Sequence, residues 1–540
     1  MTSLRRYAPF ALLVATQMVL VLVAPSHGSS GGTQLGGQFQ GGPAAQSGVP
    51  GATGTTTGAT GPGATGATGG GAGGTGTLAS GTTTGGKFCI TGLTEHFPCA
   101  PKWAGGDNGG ATWPGVTSNQ VTVVMYRAKD NPAVDAILQE TGTYTPPSAE
   151  KQMVGVVQSW INKHFQLYNR KIKLIWAQGT CDIAPPSDSC FRGDADNLVS
   201  QYHPFAVFWT SDTNEPAFFD ELSRKGVVNW GGWAFTDNFN QSLRPYHYDV
   251  FMGGDTQAEI TGRWVCQRLA NQKAKYAGDA TLKTQTRKFA VTYPNTATTT
   301  PAAKHLESII KSCAGSVYDS PYSSDTSTAA QQATTNTAQT RQAGVTSIVW
   351  FSDVIAPAYG TKAQAAQNYH PEEIIAGEGL LDYDALAQTY DQTEWAHAFG
   401  PSDLAEQAPI NNSDAGLIWK QEGNSGSPNQ NSNLLTSYAL SVAGGIMAAG
   451  PKLTPLTYEY GMLTQPGYDS WEQYHNPRYE YIKYGKGDYT GISDIREVYY
   501  DPNKTSPTNN RAGAYVALHG GQRYQLSNIP SGDPGLPASV

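Results

Sequence analysis

The sequence predicts an α/β protein of two doubly wound parallel-sheet lobes joined by crossing hinge segments. Two observations predict it. Seven short apolar runs recur at 121–126 (VTVVMY), 172–176 (IKLIW), 205–209 (FAVFW), 227–230 (VVNW), 289–293 (FAVTY), 347–351 (SIVWF) and 373–376 (EIIA), separated by helical patterns. That is the order of parallel sheets covered on both faces. The rhythm breaks once, at 248–255 (YDVFMGGD), and a fresh strand and helix series follows it, so two doubly wound units face one another across a cleft.

Along the chain, residues 1–28 carry a basic start at Arg5 and Arg6, an apolar stretch and then small residues, the order of a secretory signal peptide. An uncleaved anchor helix is the alternative, although the stretch is just short of the ~20 residues that span a bilayer. No cysteine follows the apolar run, so a lipoprotein-type anchor is not expected. Either way an extracellular or cell-surface location is expected, with membrane or cell-wall association through the N-terminal segment as one form of it. Residues 29–86 are almost wholly Gly, Thr, Ala, Ser and Gln, with GATG recurring. The every-third-glycine register of collagen fails at Thr57 and Ala64, so a flexible tether is expected. Residues 87–118 form a short cysteine-containing loop segment.

The folded part begins near 119. Ser148 is placed to cap a helix whose Met153, Val156, Val157, Trp160 and Ile161 follow 3.6-residue spacing. Six cysteines, an even count in an exported chain, point to disulfides. Six allow 15 pairings. Short separation favours Cys89 with Cys99 and Cys181 with Cys190, leaving Cys266 with Cys313.

The 540 residues allow two or three domains, and 35 basic against 43 acidic residues give a net charge of −8. No Lys/Arg cluster is present to neutralise several phosphates, so nucleic acid is not an expected partner. No cofactor is expected. No CxxC or HExxH spacing argues for a metal, and Glu372 and Glu373 beside His370 read as a solvated helix start. Asp382 and Asp384 read as surface carboxylates rather than a catalytic pair.

One stretch spells a nucleophile loop. GNSGSP, within QEGNSGSPNQ at 421–430, is close to the serine-protease motif, and Ser425 would be its nucleophile. A serine needs a histidine base held by a carboxylate. The ten histidines are scattered, His370 and His397 lie in unsuitable contexts, and an alternating chain is not an all-β protease. A turn before a helix starting near Asn433 accounts for the Gly, Asn, Ser and Pro, and the chain is not expected to be an enzyme.

Ligands in open parallel sheets bind beyond the strands' carboxyl ends. There the chain places Trp209-Thr210-Ser211-Asp212, Trp230-Gly231-Gly232-Trp233, Tyr293-Pro294-Asn295 and Trp350-Phe351-Ser352-Asp353. Each is an aromatic followed by small or polar groups, which predicts an aromatic-lined cleft.

Eight stretches then occur in a telling order. They are 161–181 (INKHFQLYNRKIKLIWAQGTC), 210–232 (TSDTNEPAFFDELSRKGVVNWGG), 248–265 (YDVFMGGDTQAEITGRWV), 287–295 (RKFAVTYPN), 344–353 (GVTSIVWFSD), 374–382 (IIAGEGLLD), 436–450 (TSYALSVAGGIMAAG) and 499–518 (YYDPNKTSPTNNRAGAYVAL). Through their order and spacing, across about 119–526, the chain resembles the type 1 periplasmic binding proteins, in the leucine/isoleucine/valine-binding branch of ABC-transporter substrate receptors. The resemblance implies that residues 119–250 and 418–498 build the first lobe. It assigns 251–417 and the terminal strands 499–526 to the second, with 527–540 as a tail.

It also implies a ligand set. Thr210, Ser211, Asp212, Thr213, Gly231, Gly232 and Trp233 would come from the first lobe. Tyr293, Ser352, Asp353 and Glu378 would come from the second, Glu378 matching the acid that neutralises a ligand ammonium. Two departures stand out. The family often pairs a cysteine near Cys181 with one beside the pocket loop, where this chain has about Thr210, so Cys190 becomes the expected partner. The resemblance implies an amino acid or related small polar ligand, and Asp212, which would repel an α-carboxylate, points instead to an amide, a polyamine or a sugar. The function implied is an exported solute receptor, with an ABC permease as its partner. A surface structural or sensory module that kept the fold is the alternative, and a secreted hydrolase ranks last.

Overall fold

A computed structural model describes residues 79–538 and 540, apart from 96, 98, 133–134, 136–137, 140–141, 184–185, 211–214, 233, 377–379, 465–479 and 481. The expected signal segment and most of the glycine-rich tract lie outside these residues.

The described chain opens with an antiparallel sheet of β1 (Ser80–Thr84), β2 (Lys87–Thr91) and β3 (Ala100–Pro101). This corrects the expectations for 80–86 as tether and for 87–118 as a loop segment, since both contribute to this sheet. Gly85 and Gly86 turn β1 into β2 with φ of +58° and +77°, the two positive values that a tight hairpin turn demands. The hairpin docks because Ile90, Leu93, Phe97 and Ala100 enter the first hydrophobic core. Its backbone lies so close that a Cβ on Gly81 would meet the His164 carbonyl at 2.1 Å.

Five parallel strands, β4 (Gln120–Arg127), β5 (Lys171–Gln178), β6 (Ala206–Trp209), β7 (Val228–Trp230) and β8 (His247–Tyr248), form a sheet in the order β5-β4-β6-β7-β8. The six residues 121–126 of β4 are all buried, as its unbroken apolar run requires. Helices α1 (Pro147–His164), α2 (Asp188–Tyr202), α3 (Pro216–Arg224) and α4 (Asp237–Ser242) connect these strands. In α1 the expected apolar stripe, Met153 to Ile161, is buried. Its start is not the one expected, because Pro147 occupies the first helical turn, where proline's fixed φ and missing N–H are no handicap, and Ser148 caps nothing.

The second sheet has eight strands. β9 (Phe289–Pro294), β10 (Val317–Tyr322), β11 (Ser347–Trp350), β12 (Glu372–Ile375) and β13 (Ala398–Ser402) run parallel in the order β10-β9-β11-β12-β13. Antiparallel β14 (Asp494–Thr505), β15 (Ala512–Ala517) and β16 (Arg523–Gln525) complete it. The terminal strand pair expected from 499 thus begins at Asp494. Helices α5 (Gly254–Arg268), α6 (Thr300–Ala314), α7 (Ala329–Gln342) and α8 (Ile355–Ala366) cover the sheet, with short α9 (Asp384–Ala387) and α10 (Gln392–Trp395) beyond β12.

Three passages join the sheets: 249–253 outward, 403–413 back, and 482–493 outward again. The return delivers α11 (Asp414–Gln421), α12 (Ser432–Ala449) and α13 (Pro455–Thr464), whose Ala415, Ile418, Tyr438, Ile446 and Tyr458 belong to the first core. A boundary expected at 417/418 therefore falls inside a helix that packs wholly with the first half. The GNSGSP loop links α11 to α12. Ser425 there is exposed, its carbonyl accepting a hydrogen bond from Trp419 Nε1 at 3.0 Å, and Asn411 Nδ2 donates to Ser427 Oγ at 2.7 Å.

Disulfides join Cys89 to Cys99 and Cys181 to Cys190, the pairs that short separation favoured, and Cys266 to Cys313, the pair that remained. Among the described residues no helix is long and apolar enough to cross a membrane.

The acidic residues read as surface groups are buried. Glu372 and Glu373 sit in β12 with no exposure, so the solvated helix start is corrected. Glu372 receives Arg287 Nε and Nη2 at 2.7 and 2.8 Å in a fully buried fork, plus the Ser347 hydroxyl at 2.6 Å. Asp382 and Asp384 are likewise buried, Asp384 accepting from Tyr515 N at 2.9 Å and Ser506 Oγ at 2.7 Å.

Candidate functional site

At the carboxyl edge of the first sheet, Thr210 follows β6 and is half-buried, while Ser211, Asp212, Thr213 and Trp233 lie outside the described residues. Gly231 and Gly232 follow β7 at φ of +119° and +91°. Side chains there would collide: a Cβ on Gly231 would come within 2.4 Å of the Trp209 carbonyl, and one on Gly232 within 2.2 Å of the Phe235 ring. Both glycines are explained by backbone conformation and close approach. The loop they open reaches the second half of the chain. A Cβ on Gly254 would meet the Ala234 carbonyl at 2.3 Å and the Ala302 methyl at 3.5 Å, so this loop abuts α5 and α6.

In the second half, Tyr293 is buried and its hydroxyl donates to Asp319 Oδ1 at 2.9 Å, with the Lys304 ammonium 5.3 Å from its ring centre. Ser352 is buried, its hydroxyl donating to the Asp353 carbonyl at 3.1 Å. Asp353 holds the start of α8, its Oδ1 accepting from Ile355 N at 2.8 Å and Ala356 N at 3.0 Å while Oδ2 accepts the Tyr322 hydroxyl at 2.6 Å. A carboxylate at a helix N-terminus is favoured by the unpaired amides and the helix dipole. Glu378 lies outside the described residues.

The strand-end aromatics require a correction. Trp209, Trp230, Tyr293, Trp350 and Phe351 are all buried and pack into the hydrophobic cores instead of facing a cleft. Trp209 lies edge-on to Tyr126 and Phe218 at 5.0 and 5.3 Å. Trp230 donates its indole N–H to the Tyr458 hydroxyl at 3.0 Å. Wide indoles at the ends of short strands close the cores, and the Trp230 and Trp350 N–H groups each find an internal acceptor.

Trp350 has a second role, as part of a pocket of about 60 Å³ between the β10-β9-β11 edge and helices α7 and α8. Thr292, Ser320 and Ile348 come from the strands, Asn336 and Thr340 from α7, and Tyr359 and Gln364 from α8. Trp350 Nε1 donates to Glu373 Oε2 at 2.5 Å, and Gly360 lets α8 lie against the ring, since a Cβ there would meet Cη2 at 2.5 Å. Of the expected ligand residues only Asp353 borders this pocket, and sequence reasoning missed the rest. Their signal was weak because β10 (VYDSPY) is an exposed edge strand interrupted by proline.

Electrostatics concentrate at the crossing. Asp249 Oδ1 accepts from Val250 N at 2.7 Å, Phe251 N at 3.3 Å and the Tyr438 hydroxyl at 2.8 Å, and Asp249 N donates to the Tyr489 carbonyl at 3.1 Å. Burial pushes its carboxyl up to about 7 despite those bonds. Asp237, after the Gly231 loop, is raised to about 6 by burial, with Asp255 and Asp488 adding like charge. Glu215, directly after the loop that follows β6, is raised to about 8 by burial and Asp188. Among the described residues no group of His, Cys, Asp and Glu could hold a metal ion.

No family model and no curated protein matches the sequence. Solved structures do match the architecture. A substrate-binding protein of an ABC transporter from Aeropyrum pernix superposes with a TM-score of 0.51 at 10% identity, over 76% of this chain and 96% of that one. The chain has the fold of the ABC-transporter substrate-binding proteins. A branched-chain amino acid ABC transporter protein from Thermus thermophilus with bound valine gives 0.51 at 11% identity, over 76% and 97% of the two chains. A solute-binding protein from Rhodopseudomonas palustris BisB5 in complex with 3,4-dihydroxybenzoic acid gives 0.50 at 12%, over 76% and 99%. The two sheets and the passages between them are thus those of that fold.

Proposed function

We propose that the protein is an exported solute receptor that closes around a small polar molecule and hands it to an ABC importer. The observation that carries this reading is the pair of parallel sheets linked by three crossing passages, a fold whose solved examples include proteins with bound valine and with bound 3,4-dihydroxybenzoic acid. A ligand that touches both halves favours the closed form, and closure in turn strengthens its binding.

In this reading the ligand lies against Thr210, Ser211, Asp212, Thr213 and Trp233 from the first half and Glu378 from the second. The buried Tyr293 and Ser352, the helix-bound Asp353 and the sterically required Gly231 and Gly232 shape the walls behind them. Amino acids, amides and polyamines are the classes whose ammonium or amide groups suit Asp212 and Glu378. Glu378→Gln removes the negative partner of a cationic group, and calorimetry is expected to show binding of such a ligand weakened by about 1–3 kcal/mol. Unchanged affinity would remove Glu378 from the site.

A further inference from the structure

We propose that the pocket between α7, α8 and the β10 edge is a second binding site, for a small uncharged polyol or monosaccharide. It does not depend on the cleft reading, because every residue lining it falls within 292–364 of the second half.

The chemistry of the lining selects the ligand. Seven serine and threonine hydroxyls and three side-chain amides line the pocket, and no Lys, Arg or His does. The single carboxylate, Asp353, is already engaged at both oxygens by the start of α8 and by Tyr322. A phosphate, carboxylate or zwitterion entering here would lose its hydration and find no counter-charge. Hydroxyls and amides both donate and accept, so they match a ligand made of hydroxyls.

Two further features favour a ring with one apolar face. Trp350 closes the pocket floor, and its indole is fixed by the bond to Glu373 and by the close approach of Gly360. A rigid aromatic face beside polar groups suits the C–H face of a sugar or cyclic polyol. Gln364 is 1% exposed, lines the pocket and has no hydrogen-bond partner at Oε1. A buried acceptor left unpaired is costly, and a ligand hydroxyl would supply the missing donor.

The test is calorimetry on the full chain with D-glucose, myo-inositol and glycerol, with sodium gluconate as the charged control. At least one neutral compound is expected to bind and gluconate is not. Gln364→Leu and Tyr359→Ala are each expected to weaken that binding about tenfold or more, while Glu378→Gln leaves it unchanged. Tyr359 lines the pocket and is only half-buried, so Tyr359→Ala should keep the melting temperature of the free protein and isolate the binding effect. Three results would overturn the proposal: no heat with any neutral compound, gluconate bound as well as glucose, or binding that survives both pocket variants. A fourth, loss of sugar binding in Glu378→Gln alone, would overturn it by placing the sugar in the cleft.

Discussion

Asp249→Asn is a test of the crossing between the two halves, because the substituted side chain can keep every bond described for Asp249 Oδ1. The backbone N–H groups of Val250 and Phe251 and the Tyr438 hydroxyl all donate to that one oxygen, which the asparagine carbonyl would replace. What changes is the charge. The buried carboxyl is raised from 3.8 to about 7, so the folded protein binds this proton more tightly than the unfolded chain does. Its contribution is therefore fully present below the unfolded value near 4 and is lost as pH rises through about 7. At about 1.4 kcal/mol per tenfold change, the whole effect is about 4 kcal/mol, of which about 3 kcal/mol falls between pH 5 and pH 8. Urea unfolding of the native protein and of Asp249→Asn near those two pH values isolates the contribution, since Asp237, Glu215 and other raised acids are common to both proteins. The variant is expected to lose less stability than the native protein over this interval, by about 3 kcal/mol. Parallel stability profiles would refute the claim that a desolvated carboxyl sits in the crossing.

Other substitutions test the rest of the fold. Gly81→Ala would drive a methyl into the His164 carbonyl and is expected to destabilise the protein by about 1–3 kcal/mol, read by urea unfolding. Arg287→Met leaves the Glu372 carboxyl buried without its fork, and is expected to cost about 3–5 kcal/mol, with Arg287→Met/Glu372→Leu recovering part of the loss. Ser425→Ala, at an exposed loop position, is expected to change stability by less than about 0.5 kcal/mol and to leave ligand binding intact. A large loss of binding would return Ser425 to the list of functional residues.

The parts of the fold legible in the sequence were those with a strong apolar signal. Runs such as VTVVMY and SIVWF become fully buried parallel strands, and no solvated face dilutes their pattern. Two disulfide pairs were legible because cysteines nine or ten residues apart are the first to meet, and the third, 47 residues apart, followed by elimination. Edge strand β10 was hidden because only Ser320 of its six residues is buried and Pro321 interrupts the pattern. The hairpin at Ser80–Thr84 was hidden inside a glycine and threonine tract, since its docking depends on contacts made by the following residues, Ile90, Leu93 and Phe97.

The candidate site was less legible, for two physical reasons. Acidic residues read as solvated unless a partner is known, and Arg287, the partner of Glu372, lies 85 residues away in sequence. An aromatic at a strand end can turn into the core or out towards a ligand, and nothing local decides which. Trp209 and Trp230 turn in, where ring contacts and the Tyr458 hydroxyl receive them. The Gly231-Gly232 turn was read as part of a ligand set, and the structure traces its glycines to the nearby Trp209 carbonyl and Phe235 ring.

A thermal-shift screen of the native protein over amino acids, amides, polyamines and sugars tests the receptor role directly. A ligand that binds the folded state alone stabilises it by about 2.7 kcal/mol at a hundredfold excess over its Kd. At least one charged or amide solute is expected to raise the melting temperature, and this rise is lost in Glu378→Gln and kept in Gln364→Leu. A screen in which no such solute shifts the native protein, or in which the shift is indifferent to Glu378, would contradict that role.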